Sequence, residues 1–118
     1  MLTPQEINAK MASIMGWHKD QCNCGSCNVW YWVDDNGTQI MYGPDWNPWE
    51  ITDHTFMVLH KWLEDSSERT CDISFGYSRV DTKREWHCFL LGIKLSILRF
   101  GDTQSQAICN CLLKTLKK

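Results

Sequence analysis

Apolar residues recur at helical spacing in three stretches of the chain. In the first, Ile7, Met11, Ile14 and Met15 stand at i, i+4, i+7 and i+8 and make one stripe. Thr3 is placed to cap this helix, Pro4 takes its first position, and Glu6 completes a capping box. Gly16 ends it, and Trp17 should turn back onto a sheet. A second helix should run from about Thr52 or Asp53 to Glu64, with Thr52 as its cap and Asp53 at the positive end of its dipole. Phe56, Leu59 and Leu63 form its expected inner stripe, flanked by Val58 and Trp62. The last helix opens at Gly101-Asp102-Thr103, where Thr103 and Gln106 have capping-box spacing. Its stripe is Ala107, Ile108, Cys111, Leu112 and Leu116, and Lys114, Lys117 and Lys118 suit the negative end of its dipole.

Between the helices the pattern changes to that of strands and turns. Residues 18–27 are a polar, cysteine-rich stretch that reads as a loop. Val29 to Val33 is β-branched and aromatic, which marks a strand. Asp34-Asp35-Asn36-Gly37 is a hairpin turn, and Thr38 to Tyr42 returns from it. Gly43 to Pro48 is a loop by its Gly and Pro content. Further on, Cys71, Ile73, Phe75 and Tyr77 alternate with polar neighbours, as in a half-buried strand. A charged turn from Asp81 to Glu85 leads to a strand from Trp86 to Leu91. Ile93, Leu95 and Ile97 then alternate, either in a further strand or in a continuation past a kink at Gly92. The order is helix, hairpin, helix, two or three strands, helix. It predicts an α+β fold: a mostly antiparallel sheet of four to five strands covered by three helices.

Length and composition narrow the function classes. At 118 residues the chain is one domain, 1–118. Hydrophobic residues are 43% of it and tryptophans number 7, enough for a core and too many for a disordered chain. The formal net charge of −2 disfavours a nucleic-acid binder that works by neutralising phosphates. No apolar run reaches the roughly 20 residues of a membrane span. The opening MLTPQEINAK has no signal-peptide pattern, so a cytoplasmic protein is expected.

Seven cysteines, an odd number, argue against a disulfide framework in such a protein. Cys71, Cys88 and Cys111 fall at apolar positions and read as small buried hydrophobes. Cys22, Cys24 and Cys27 instead sit in the polar stretch. Cys24-Gly25-Ser26-Cys27 has the spacing with which two thiolates of one turn reach a single metal. With His18 and Cys22 they could make a tetrahedral site for a structural zinc, and His87 is an alternative fourth ligand. The competing reading is a reduced, solvent-facing loop with a redox-labile pair.

The tryptophans offer a second candidate site. Trp30 and Trp32 share one face of their strand, and Trp46 and Trp49 lie in the next loop. They read either as core or as a pocket or partner-binding patch in which Asp45 and Asn47 are the polar anchors. Catalytic signals are absent. The four histidines are scattered, and no H-E-x-x-H, phosphate-binding glycine loop or nucleophile–base pair occurs. A non-enzyme is therefore expected, with no catalytic residues.

Several local motifs run in a familiar order. Met15-Gly16-Trp17 follows the capped first helix, and the Trp-rich strand leads into Asp35-Asn36-Gly37. Pro44-Asp45-Trp46 precedes the second helix, and Phe100-Gly101-Asp102-Thr103, Gln106-Ala107-Ile108-Cys109 and Leu112-Leu113 close the chain. From about residue 1 to 116 this resembles the phage ABA-sandwich family, small phage and prophage proteins of helix–sheet–helix architecture. The sequence has Phe100-Gly101 where an alanine is usual and Asn110 where arginine is common. The resemblance implies an accessory protein in the cytoplasm of an infected bacterium and supplies no catalytic residue. Two functions follow as expectations. One is a protein that binds a host or phage factor. The other is a small-molecule binder, such as a sponge for a nucleotide-like defence signal, with Lys83, Arg84 or Arg99 as its cations. Apolar edge strands and surplus tryptophan also make a homodimer an expected state.

Overall fold

The computed structural model describes residues 2–21, 29–78 and 83–116. Helix α1 spans Pro4–Ile14. The Thr3 hydroxyl accepts the Glu6 N–H at 3.2 Å, and the Glu6 carboxylate accepts the Thr3 N–H at 3.0 Å. The expected capping box is complete. Gly16 adopts a φ of +80°, a conformation open to glycine, and this sends Trp17 back toward the helix. There its N–H donates to the Ala12 carbonyl at 3.0 Å.

Strands β1 (His18–Gln21), β2 (Trp30–Val33) and β3 (Gln39–Tyr42) form one antiparallel sheet in that order. The start of the polar stretch is thus a strand where a loop was expected. All four residues of β1 are exposed, so no alternation announces it. Backbone pairing to the apolar β2 holds it, with Lys19 opposite Trp32. The hairpin between β2 and β3 follows expectation. The Asp34 carboxylate accepts the N–H groups of Asn36 and Thr38 at 2.9 and 3.0 Å, and Gly37 has a φ of +80°.

A short 3-10 turn, Gly43–Asp45, leads to helix α2, Thr52–Glu64. Ile51, not Thr52, stands at the cap and makes no side-chain capping bond. The Thr52 hydroxyl instead accepts from Ser105 of the last helix at 3.2 Å. The helix is also rotated from its expected setting. It buries Thr55, Val58, Leu59 and Trp62, and Phe56 faces outward. Val58, Leu59 and Trp62 make the face that meets the core, and Thr55 can be buried beside them because its hydroxyl bonds the carbonyl of the fully buried Pro48.

Strands β4 (Thr70–Ser78), β5 (Lys83–Gly92) and β6 (Leu95–Gly101) form a second antiparallel meander. The alternating run after Gly92 is therefore a separate strand, reached through a turn in which Lys94 has a φ of +56°. Helix α3, Gln104–Thr115, is capped by the Thr103 hydroxyl, which accepts the Gln106 N–H at 3.1 Å. It buries Ala107, Ile108, Cys109, Cys111 and Leu112 and packs on β5 and β6.

The α+β class holds, but the single sheet of four to five strands does not: two three-stranded sheets replace it. The chain between β3 and β4 passes through the Pro48 loop and α2, and no pairing joins the two sheets among the described residues. A shared core links them. Trp32 of the first sheet, Cys88 and Leu90 of the second, and the buried faces of all three helices belong to one apolar cluster.

Candidate functional site

The concave feature of interest lies where α1, β1, β2 and the 43–50 loop meet. It is a pocket of about 580 Å³. Trp30, Trp32 and Trp46 contribute its aromatic wall, and Pro4, Ala9 and Pro44 add apolar surface. Its polar lining is Gln5, Asn8, Lys19, Asn47 and Glu50.

Local structure fixes each part. Trp30 and Trp32 are two apart on β2, so the pleat puts both rings on one face. They meet edge to face with centroids 5.0 Å apart. The backbone of Gly43 lies against the Trp30 ring, so close that a β-carbon there would stand 2.3 Å from it. The Lys19 ammonium is 4.7 Å from the centroid of the same ring.

The floor is a hydrogen-bond network between α1 and the loop. The Trp46 indole N–H donates to the Asn8 carbonyl at 2.9 Å. The Asn8 side chain takes the Trp49 N–H at 3.0 Å and donates to the Asn47 side chain at 3.1 Å. Asn47 in turn donates to the Glu50 carboxylate at 3.2 Å. Beneath this, His54 stacks on Trp46 at 5.0 Å, and its Nδ1 accepts the Asn47 N–H at 3.0 Å. Burial pushes the His54 imidazole below its ordinary pKa, with Asp53 and Asp45 opposing the shift.

Four of the six expected patch residues, Trp30, Trp32, Trp46 and Asn47, come together here. Asp45 is exposed and outside the lining, and Trp49 joins only through its backbone. The core reading holds for Trp46, which is 2% exposed, and for Trp32, at 7%. The Trp32 indole N–H is buried with no hydrogen-bond partner among the described residues. Gln5, Asn8, Lys19 and Glu50 were not expected from the sequence. Their only signal was polar residues near the aromatic segments, and polar residues are common on any surface.

Of the expected metal set His18, Cys22, Cys24 and Cys27, only His18 is among the described residues; the three cysteines lie outside them. His18 is exposed on β1 and its Nε2 is 2.8 Å from Asp35. His87 sits in the other sheet, edge to face with Phe100 at 4.8 Å. Among the described residues no group of three or more His, Cys, Asp or Glu side chains is placed to hold a metal. Cys88 and Cys111 are buried as expected, and Cys71 is half-buried with its sulfur 3.8 Å from that of Cys88. The expected basic set is split from the pocket. Lys83 and Arg84 begin β5, where Lys83 pairs with Asp102 at 3.1 Å, and Arg99 lies on β6.

Fold and pocket together define an α+β protein with an aromatic cleft. No protein-family model, curated protein or solved structure matches the chain. No helix among the described residues is long and apolar enough to cross a membrane.

Proposed function

We propose that this chain is a non-enzymatic accessory protein of a phage or prophage, related to the ABA-sandwich proteins. In this reading it works in the cytoplasm of the infected bacterium by holding a segment of a host protein in the Trp30–Asn47 pocket. The kinship rests on the motif order from Met15-Gly16-Trp17 to Leu112-Leu113.

The docking part rests on one observation: the pocket pairs three tryptophans with a nearly neutral polar lining. Among the described residues, Lys19 is its one cation and Glu50 its one anion. Such a lining suits an apolar side chain flanked by peptide groups, which aromatic walls bury and amides orient. A nucleotide signal would need several cations around its phosphates, and Lys83, Arg84 and Arg99 belong to the other sheet.

A filled pocket tests this. Ala9 is exposed on α1 and lines the cleft, so Ala9→Trp should occupy it without touching the core. A host protein retained by the immobilised wild type should be retained at least tenfold less by the variant. Nucleotides should leave the melting temperature of both unchanged. If both forms retain the same proteins equally, or a nucleotide stabilises the wild type alone, the docking reading falls.

A further inference from the structure

The two sheets end in four edge strands, and three of them are defended. β1 and β3 are only four residues long, and β1 carries His18, Lys19 and Asp20. β6 has Arg99 near its middle, and its Leu98 and Phe100 carbonyls already accept side-chain N–H groups of Arg99 and Asn110 at 2.7 and 2.8 Å. β4 is different. It runs nine residues, pairs with β5 without a register break, and contains no proline, lysine or arginine. Short length, bulges, proline and charged side chains, lysine above all, are the usual means of stopping an edge from pairing; of these β4 has a single charge, Asp72. Among the described residues, no strand pairs with its outer edge.

The far end of β4 also projects from the body. β6 pairs with β5 only as far as Trp86, so Gly76–Ser78 and Lys83–Glu85 form a two-stranded ribbon beyond the three-stranded part. The chain measures 53 × 31 × 25 Å with a radius of gyration of 15.7 Å. A compact domain of this length would have about 13.5 Å. Phe75 is 52% exposed and Tyr77 58%, on the same strand face as the half-buried Cys71 and Ile73. Two large aromatic side chains are thus left in solvent beside an open ladder.

We infer that the outer edge of β4 pairs antiparallel with β4 of a second copy of this chain, about a two-fold axis through Ser74. The strand's own pattern selects this occupant. With the axis at Ser74, the midpoint of Thr70–Ser78, every residue of the strand gains a partner. On the helix-side face, Cys71 meets Tyr77 and Ile73 meets Phe75, apolar against apolar. On the other face, Ser74 meets its own copy, small polar against small polar. Asp72, the only charged residue of the strand, falls opposite Gly76, which has no side chain to oppose it. The two copies of Asp72 then lie four residues apart along the ladder, about 14 Å at the usual strand rise. That exceeds the screening length of about 10 Å at ordinary salt. Pairing joins the two meanders into one six-stranded sheet and brings the exposed aromatic rings against neighbours.

Sedimentation of the full chain, with variants at the axis, tests this. The wild type should sediment at twice the 13.8 kDa chain mass. Ser74 is exposed, so Ser74→Lys and Ser74→Glu should each fold, with unchanged circular dichroism. Each places like charges face to face at the axis, and each should raise the dimer dissociation constant at least tenfold. Mixing the two variants should restore a dimer containing one copy of each. A monomeric wild type overturns the inference. So does a dimer indifferent to both charges, or a mixture that stays monomeric although both variants are folded.

Discussion

The backbone of Gly43 lies against the six-membered ring of Trp30, with no room between them for a single methyl group. Gly43, Trp30 and Lys19 all line the pocket, and the Lys19 ammonium stands 4.7 Å from the centroid of the same tryptophan. Gly43→Ala should force the indole outward. We expect a loss of about 1–3 kcal/mol, as for other overpacked sites, measured by urea unfolding. Partner retention should fall with it. Unchanged stability and retention would show that the ring is free to shift.

Trp46 is core despite its place in a loop of Gly, Pro, Asp and Asn. It is 2% exposed, meets Trp17 edge to face at 4.6 Å, and donates to Asn8. Trp46→Ala should cost about 3–5 kcal/mol in equilibrium unfolding. Trp46→Phe keeps most of the ring but loses the indole N–H bond to the Asn8 carbonyl, and should cost about 0.5–1.5 kcal/mol.

His54 gives the fold a pH dependence of known sign. Its neutral Nδ1 accepts the Asn47 N–H, and burial holds its pKa below the ordinary value of 6.5. The unfolded chain therefore takes up a proton before the folded one does. The contribution is whole above pH 6.5 and is lost as pH falls through the lowered folded value. His54→Gln should flatten this part of the stability profile, read from melting temperatures across acid pH. An unaltered profile would place the titrating group elsewhere.

The thiols should differ in reactivity. Burial pushes the Cys109 thiol up to about 12, and hydrogen bonds with Cys111 and Cys71, with burial, push Cys88 up as well. Cys71 is half-buried, and the hydrogen bond with Cys88 lowers its pKa. Among these four cysteines, iodoacetamide mapping of the folded protein should find Cys71 modified first. Cys88 and Cys109 should react only on unfolding. Early modification of Cys109 would contradict the packing of α3 against the Pro48 loop, where its thiol donates to the Pro48 carbonyl at 3.4 Å.

What could be read in advance follows the range of each interaction. The caps at Thr3 and Thr103 and the Asp34–Gly37 turn were legible because their partners lie within four residues. The setting of α2 was not. Its core face is Val58, Leu59 and Trp62, and Thr55 joins that face through a bond to a carbonyl in the preceding loop, leaving Phe56 outside. Strand β1 was hidden because the reason for its pairing lies in β2. The pocket was half legible: aromatic pairs two apart declare a shared face, but Asn8 reaches Asn47 and Trp49 across about forty positions.

The sequence by itself determined three helices, the caps of the first and last, the positions of most strands and the α+β class, since each depends on spacing among near neighbours. Only the tertiary structure decided that the strands divide into two sheets, that Trp46 is core while Phe75 and Tyr77 are bare, and that α1 closes over the tryptophans. Those outcomes depend on which distant surfaces meet. Spacing along the chain fixes which face of an element is apolar, but not which other face it finds.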